Sequence, residues 1–225
     1  MRITGGSFRS RALRAPKGDR TRPTSDRVRE ALFSILVARV GREGRAPGGD
    51  EEEEEREEEE QEEEQSDPSM AGPSLSGERV LDLYAGTGAL ALEALSRGAA
   101  HATFVEEGRD ALVALRGNIA ELGVAKKAAV LAMSVERASR VLARVAEADR
   151  FTLVFADPPY KLVQGGEFVR TFAPIVQSGA FAPGATVVIE HASLDSAPEL
   201  DDLSLVESRR YGDTTVSLYL YRSGN

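Results

Sequence analysis

Short apolar segments alternate along this chain with longer segments in which apolar residues recur every three or four positions. The first pattern predicts buried strands, and the second predicts helices with one apolar face. The predicted strands cover residues 79–84, 102–105, 129–133, 151–156, 186–190, 203–209 and 215–221. The predicted helices cover residues 89–97, 112–122, 135–146 and 167–177. A further helix is predicted near the N-terminus, with Thr24 or Ser25 as its N-cap and with Val28, Leu32 and Ile35 on its apolar face.

Strands that alternate with helices build right-handed βαβ units. The order of elements therefore predicts an α/β fold with a mostly parallel seven-stranded sheet and helices on both faces. The last two strands flank a turn at residues 212–213 and are expected to form an antiparallel hairpin at one edge. In such sheets, ligands bind beyond the carboxyl ends of the strands, near the point where the strand order reverses.

Charge divides the chain into three parts. Residues 1–45 carry 12 basic and 4 acidic side chains, whereas residues 50–65 carry 13 acidic side chains and one arginine. A run of like charges repels itself and has no apolar face to bury, so residues 46–77 are predicted to be a disordered acidic insert in a surface loop. Such an insert can be tolerated without a function of its own. Alternatively, it could mimic nucleic acid or cover the basic N-terminal segment. The other two parts are a basic N-terminal arm and helix at residues 1–45 and an α/β domain at residues 78–225.

The composition excludes several classes of site. The chain has no cysteine, which removes disulfides, thiolate nucleophiles and Cys-ligated metals. His101 and His191 lack acidic or histidine partners at ligand spacing, so we expect no metal site. No apolar stretch is long enough for a membrane span. Residues 1–14 lack the apolar run of a secretory signal. They are rich in arginine and contain no acidic residue, a composition that is compatible with a weak organelle-targeting signal.

A glycine turn follows the first predicted strand of the α/β domain. Gly86 and Gly88 allow a sharp turn and a close approach of the backbone to a ligand, and the spacing to Ala91 also fits a dinucleotide fingerprint. Asp82, at the end of that strand, would face a pyrophosphate with like charge. It suits instead a ligand that carries an ammonium and a sulfonium group. A plain strand–helix turn without a ligand is the alternative.

Polar side chains also follow the next two strands. Glu106 lies 24 residues after Asp82 and is placed to accept hydrogen bonds from two ribose hydroxyls. Its neighbour Glu107 is expected to be solvated. Ser134 follows the third strand, where it could contact an adenine edge or serve as a helix N-cap.

The segment Asp157-Pro158-Pro159-Tyr160 follows the fourth strand and is the most specific signal in the chain. Two prolines end the strand and fix a rigid turn. That turn would hold the Asp157 carboxylate and the Pro158 carbonyl as two acceptors, which match the two hydrogens of an amino group. Tyr160 offers a flat face for base stacking, worth about 1–3 kcal/mol. A proline turn that only ends the strand is the alternative.

These segments resemble the bacterial small-subunit rRNA (guanine-N2)-methyltransferase D family of class I, S-adenosylmethionine-dependent methyltransferases. The resemblance covers almost the whole chain except the acidic insert. The segments that carry it are residues 1–13, 22–33, 81–99 and 155–160. The motif Asp157-Pro-Pro-Tyr160 alone is shared with DNA adenine methyltransferases, so the N-terminal segments are the more discriminating part.

The resemblance implies a Rossmann-like fold, S-adenosylmethionine as cofactor, and methyl transfer to the exocyclic N2 of a guanine in small-subunit (16S-type) rRNA. It places Asp157, Pro158 and Tyr160 in catalysis. It implies cofactor contacts for Asp82, Tyr84, Gly86, Gly88, Glu106 and Ser134. The expected partner is small-subunit rRNA or the assembling subunit, and the expected state is a monomer. The chain departs from the family pattern in its long insert and in Ser134, where relatives often carry Asp or Asn.

Six arginines of the first 45 residues are expected to bind RNA phosphates, because they lie on the basic arm and on the polar side of its helix. They are Arg9, Arg11, Arg20, Arg22, Arg27 and Arg29. Their alternative is a solvated basic surface. The expected location is the cytoplasm in a bacterium, or a plastid or mitochondrion in a eukaryote.

Three other functions remain open from the sequence. The first is a DNA adenine-N6 methyltransferase, and the second is a methyltransferase for protein glutamine or a small molecule, for which the basic arm would have no use. The third is a non-enzymatic RNA-binding subunit with the same fold. The presence together of Asp82, the two glycines, Glu106 and the Asp157 motif argues against the third.

Overall fold

The computed structural model describes residues 1–15, 25–43 and 74–222. The helices in these ranges are α1 (Asp26–Glu43), α2 (Ala89–Ser96), α3 (Arg109–Leu122), α4 (Val135–Leu142), α5 (Tyr160–Gln164) and α6 (Glu167–Val176). The strands are β1 (Arg79–Leu83), β2 (His101–Glu106), β3 (Ala128–Ala132), β4 (Phe151–Ala156), β5 (Phe181–Ala192), β6 (Leu203–Tyr211) and β7 (Thr214–Tyr221).

The seven strands form one sheet in the order β3-β2-β1-β4-β5-β7-β6. Strands β1 to β5 are parallel, and β7 lies antiparallel between β5 and β6. The predicted fold is confirmed, including the antiparallel C-terminal hairpin. From β1 the chain moves outward to β2 and β3 and then returns to β4 on the other side of β1. The strand order therefore reverses between β1 and β4, where Leu83 pairs with Ala156.

Both faces of the sheet are buried, because apolar side chains alternate along the central strands. Val80 belongs to one buried cluster, which it shares with side chains of α1, α2 and α3. Its neighbours Leu81 and Leu83 belong to a second cluster, which they share with side chains of α4 and α6. A core on each face is the packing expected of a parallel sheet.

The N-terminal arm, residues 1–15, is packed into the first of these clusters. Its first and last parts pair as a hairpin, with the amide of Ile3 donating to the carbonyl of Arg11 at 2.9 Å. Ile3 and Leu13 are buried. The buried carboxylate of Glu93 on α2 accepts hydrogen bonds from the amides of Thr4 and Gly5, at 2.7 and 2.8 Å. The arm thus shares the core of the α/β domain, although its composition differs.

Several boundaries differ from the sequence prediction. Helix α4 ends at Leu142 rather than at residue 146, since a separate 3-10 turn follows at Glu147–Asp149. Helix α5 was not predicted, because it has only five residues. Strand β5 begins at Phe181, five residues earlier than predicted, and accommodates the extra residues in an irregular register with β4.

The end of the acidic insert was also placed too late. Leu75 lies inside the predicted insert at 46–77, yet its side chain is fully buried and its amide donates to the carbonyl of Arg97 at 2.8 Å. Residues 46–73 of the insert lie outside the described residues. At the start of α1, the hydroxyl of Ser25 accepts from the amide of Val28 at 3.3 Å, as expected of an N-cap, whereas Thr24 lies outside the described residues.

Candidate active site

The predicted catalytic and cofactor-binding residues lie at the carboxyl ends of β1, β2, β3 and β4. The segments that follow β1 and β4 start side by side, because Leu83 and Ala156 are partners in the sheet. The amide of Asp157 lies 3.5 Å from the carbonyl of Leu83, which links the two segments directly. This is the switch point at which open α/β sheets bind their ligands.

The turn after β1 has the tight backbone that the glycines predicted. Gly86 and Gly88 have φ angles of 55° and 79°, which favour glycine. A Cβ atom on Gly88 would lie 2.5 Å from Leu115 Cδ1 and 3.1 Å from Phe104 Cε1, so α3 and β2 leave no room for a side chain there. The turn is therefore pressed closely onto the sheet and α3.

Asp82 lies beneath this turn rather than on its outer surface. Its residue is 2% exposed, and its carboxylate accepts a hydrogen bond from the amide of Ala91 in α2 at 3.2 Å. Burial raises the pKa of Asp82 to about 8; the hydrogen bond from Ala91 opposes this rise, and the charge of Glu106 adds to it. A cation above the turn would stabilise the ionised form, so the site favours a positively charged ligand.

Tyr84 connects β1 to the turn in a strained conformation. Its φ angle is 58°, which is uncommon for a residue with a side chain and is often found at functional sites. Its ring lies 6.4 Å from the ring of Phe168, and its hydroxyl is buried without a hydrogen-bond partner among the described residues. Burial raises the pKa of Tyr84 to about 12, so the hydroxyl keeps its proton. The predicted cofactor contact of Tyr84 stays a prediction.

Glu106 joins the turns that follow β1 and β2. One carboxylate oxygen accepts from the amide of Gly86 at 2.8 Å, and the other accepts from the amides of Gly108 and Glu107 at 2.6 and 3.0 Å. These bonds hold the carboxylate at the ends of two neighbouring strands. Two carboxylate oxygens can accept about four hydrogen bonds. The three backbone bonds therefore leave room for about one ribose hydroxyl, and the predicted contact with two hydroxyls stays a prediction.

The Asp157 motif forms the other wall of the site. Pro158 is buried, Pro159 is exposed, and α5 begins at Tyr160. The hydroxyl of Tyr160 lies 2.8 Å from Thr214 Oγ1 at the start of β7. This contact fixes the half-buried ring from one end, and a fixed ring is a better platform for a base than a mobile one.

Three carboxylates share one face of the sheet here. Asp82 is in register with Phe155, and the alternation along β4 and β5 places Asp157 and Glu190 on the same face as Phe155. Burial raises the pKa of Asp157 well above its usual range, and the charges of Glu190 and Asp82 raise it further. A cationic ligand would favour the ionised forms of Asp82 and Asp157.

Glu190 was not identified from the sequence. It is 7% exposed and lies near the carboxyl end of β5. Its position at the end of a predicted strand was the same signal that identified Glu106. The signal was missed because no motif surrounds Glu190.

Ser134 lies at the carboxyl edge as predicted, one residue before α4. It occupies the N-cap position, but its hydroxyl makes no capping hydrogen bond. The N-cap alternative is therefore wrong as far as the side chain is concerned. The adenine contact stays a prediction.

The predicted RNA-binding arginines separate into different groups. Arg29 is fully buried, and its guanidinium donates to the carbonyl of Arg2 and, at 2.7 Å, to the carboxylate of Asp26. Its prediction as a phosphate ligand is wrong, because a side chain with no exposed surface that ties α1 to the arm cannot reach RNA. Arg9, Arg11 and Arg27 are exposed, whereas Arg20 and Arg22 lie outside the described residues.

The exposed arginines of the arm lie away from the glycine turn. The tip of the arm packs against the last turn of α2, where the amide of Phe8 donates to Ser96 Oγ at 2.9 Å. Helix α2 starts at the glycine turn and runs away from it. Arg9 therefore lies toward the amino ends of the strands, opposite to the site. Arg11 donates to the carbonyl of Glu121 at the end of α3, at 3.1 Å. RNA that contacts both arginines and the site would have to extend along the molecule.

The described residues contain no group of three or more histidine, cysteine, aspartate or glutamate side chains that could hold a metal ion. Among their helices, none has both the length and the apolar character needed to cross a bilayer.

The family model described as conserved hypothetical protein 95 matches residues 1–45 and 68–220. The chain is 30% identical over 223 residues to the protein named "Putative rRNA methyltransferase YlbH" of Bacillus subtilis, covering 99% of this chain and 100% of that protein. It is 30% identical over 220 residues to "Ribosomal RNA small subunit methyltransferase D" of Escherichia coli K12, covering 97% of this chain and 89% of that protein. The matches thus include the arm as well as the α/β domain.

Solved structures are also similar to this chain over almost its whole length. A structure titled "Putative methyltransferase yhhF from Escherichia coli" superposes with a TM-score of 0.71 at 28% identity, over 100% of this chain and 99% of that one. A hypothetical protein of Thermus thermophilus gives a TM-score of 0.68 at 29% identity, over 97% and 98% of the two chains. The family model leaves out residues 46–67, which contain the acidic run.

Proposed function

Since this chain belongs to the family described as conserved hypothetical protein 95, we propose that it methylates the exocyclic N2 amine of a guanine in small-subunit ribosomal RNA. It is an rRNA methyltransferase, and its cofactor is S-adenosylmethionine. The observation that carries the proposal is that the Asp157 motif lies beside the glycine turn at the switch point of the sheet. A methyl acceptor held by the motif and a cofactor held by the turn would therefore meet.

The acidic character of the site supports S-adenosylmethionine over a dinucleotide. Asp82, Asp157 and Glu190 lie on one sheet face, where a pyrophosphate would oppose the ionisation of these carboxyl groups and would be repelled by each one that is ionised. An ammonium and a sulfonium group would instead be attracted. The backbone of Gly86 and the carboxylate of Glu106 stand at the ends of β1 and β2, where the nucleoside part would lie.

When bound, S-adenosylmethionine supplies an electrophilic methyl group on a positively charged sulfur. Asp157 and the Pro158 carbonyl accept hydrogen bonds from the target amine. These bonds localise the nitrogen lone pair toward the methyl group and favour the positive charge that develops on nitrogen. The rigid proline turn supplies position, a large contribution in its own right. The positive charge of the cofactor would favour the ionised form of Asp157, and in that form the carboxylate could take the proton that the methylated nitrogen releases.

The relatives and the exposed arginines both support an rRNA substrate. The relative from Escherichia coli is named for the small-subunit rRNA, and the match to it includes the arm. The described part of the arm exposes Arg9 and Arg11, which would contact phosphates along the RNA. The guanine must leave its stack to reach Asp157, and Tyr160, held by Thr214, would support it. The enzyme would act as a monomer on rRNA or on the assembling subunit, in the compartment where that subunit forms.

The test is to incubate the protein with labelled cofactor and unmethylated small-subunit rRNA, and to map the methylated nucleotide by mass spectrometry. The expected product is a single N2-methylguanosine. Duplex DNA with the same total number of bases is the matched substrate control, since the motif at Asp157 is shared with DNA adenine methyltransferases. Methyl transfer to DNA adenine in preference to rRNA would refute the proposed substrate.

A further inference from the structure

A buried carboxamide links the cofactor turn to the N-terminal arm. Asn118 lies on α3 and is 1% exposed. Its amide nitrogen donates to the carbonyl of Thr87 at 2.9 Å and to the carbonyl of Arg14 at 3.2 Å, and its oxygen accepts from the amide of Arg14 at 2.7 Å. Both hydrogens and the oxygen of the side chain are therefore used, and all three partners are backbone groups.

One of these partners lies inside the cofactor turn. Thr87 stands between Gly86 and Gly88, the two residues with left-handed backbone. The turn is already held at Gly86, whose amide donates to Glu106. A second bond, from Asn118 on α3 to the Thr87 carbonyl, fixes the orientation of the peptide between the two glycines. Glycine peptides rotate easily, so this orientation needs an external contact.

The other two bonds end on the arm. The end of the arm lies close to α3, where a Cβ atom on Gly117 would be 3.2 Å from Arg14 Cδ. The Arg14 guanidinium forms an ion pair with Glu121 at 3.1 Å, but the two side chains are 65% and 40% exposed, so this pair contributes little. The buried contact with Asn118 is the stronger link between the end of the arm and α3.

We propose that Asn118 is a positioning residue, which sets the conformation of the cofactor turn by holding Thr87 against the seated end of the arm. The inference rests on the proposed function, because it assumes that the turn binds S-adenosylmethionine. Asn118 does not touch the reacting atoms. Its effect on the reaction is exerted through the affinity for the cofactor.

The test compares substitutions of two buried polar residues that hold the arm at different places. Asn118 holds Arg14, at the end of the arm, and Ser96 holds Gly5 and Phe8, at its tip. Asn118→Asp keeps an acceptor for the Arg14 amide but presents an oxygen to the carbonyls of Thr87 and Arg14. Ser96→Ala removes the bonds of Ser96 Oγ with the Gly5 carbonyl, at 2.6 Å, and with the Phe8 amide. Both variants should lower the melting temperature, but Ser96 does not contact the cofactor turn.

The readouts are the Kd for S-adenosylmethionine from calorimetry and the KM and kcat for methyl transfer. We expect Asn118→Asp to raise the Kd and KM for the cofactor about tenfold, with kcat within about threefold of the wild type. Ser96→Ala should leave both constants within about twofold. If Asn118→Asp does not fold, Asn118→Ser, which adds no charge, is measured with the same expectations.

The inference is overturned if the Asn118 variant binds the cofactor within about twofold of the wild type. It is also overturned if Ser96→Ala, at an equal loss of melting temperature, weakens cofactor binding equally, since Asn118 would then have only a structural role. The wild-type titration separates these results from failure of the proposed function. A wild-type protein that does not bind S-adenosylmethionine would remove both proposals together.

Discussion

The affinity of this protein for S-adenosylmethionine should increase as the pH rises, because Asp82 must lose a proton before it can face a cation. Burial raises the pKa of Asp82 from 3.8 to about 8. The folded protein without cofactor therefore holds this proton at neutral pH, and a bound cation would displace it. The same shift means that the cofactor-free protein loses stability as the pH rises from about 4 to about 8, since the unfolded chain is already ionised there.

The magnitude follows from that pKa. If only the ionised form binds tightly, the apparent Kd exceeds its limiting value by about 100-fold at pH 6, about tenfold at pH 7 and about twofold at pH 8. Titration calorimetry across this range measures the dependence. Repeating the titration at pH 7 in two buffers with different ionisation enthalpies should show that almost one proton is released per cofactor bound.

Two variants test whether Asp82 is the responsible group. Asp82→Asn should bind the cofactor more weakly at pH 8 and should show almost no dependence on pH. Asp157→Asn removes a neighbouring carboxyl whose pKa is also raised, but it should keep most of the dependence because Asp82 remains. The reasoning is refuted if the wild-type Kd changes less than about threefold between pH 6 and pH 8, or if Asp82→Asn keeps the wild-type slope.

Three further predictions concern catalysis, the insert and the arginines. Asp157→Asn should lower kcat by about 100-fold or more while the cofactor Kd stays within about fivefold, and equal losses in kcat and cofactor affinity would contradict the assigned role. Deletion of residues 46–67, which the family model omits, should leave the melting temperature and kcat nearly unchanged; a large loss of either would show that the insert is structural. Arg9→Glu should weaken RNA binding and its salt dependence without lowering the melting temperature. Arg29→Ala should destabilise the protein by about 1–3 kcal/mol, because it leaves the carbonyl of Arg2 without its buried donor. RNA filter binding at several salt concentrations and thermal melting distinguish these two variants, and the opposite pattern would refute the assignment.

The strands and helices were largely predictable because their apolar residues repeat with the periods of buried strands and amphipathic helices. Helix α5 was missed because five residues are too few to show a period. The early start of β5 was missed because Pro183 and Gly184 usually mark a turn. In both segments the local sequence pattern is too short or misleading, because tertiary contacts determine the conformation there.

The sequence alone determined the order of elements, the glycine turn and the proline turn, because glycine and proline restrict the backbone locally. It also determined which end of the sheet carries the chemistry, since Asp82, Glu106 and Asp157 all lie at strand ends. Only the tertiary structure decided that Glu190 joins Asp82 and Asp157, because strands distant in sequence become neighbours only through the order of the sheet. It likewise decided that Arg29 is buried, because the arm folds back over α1. A charge pattern records which residues are basic, but burial depends on what packs against them.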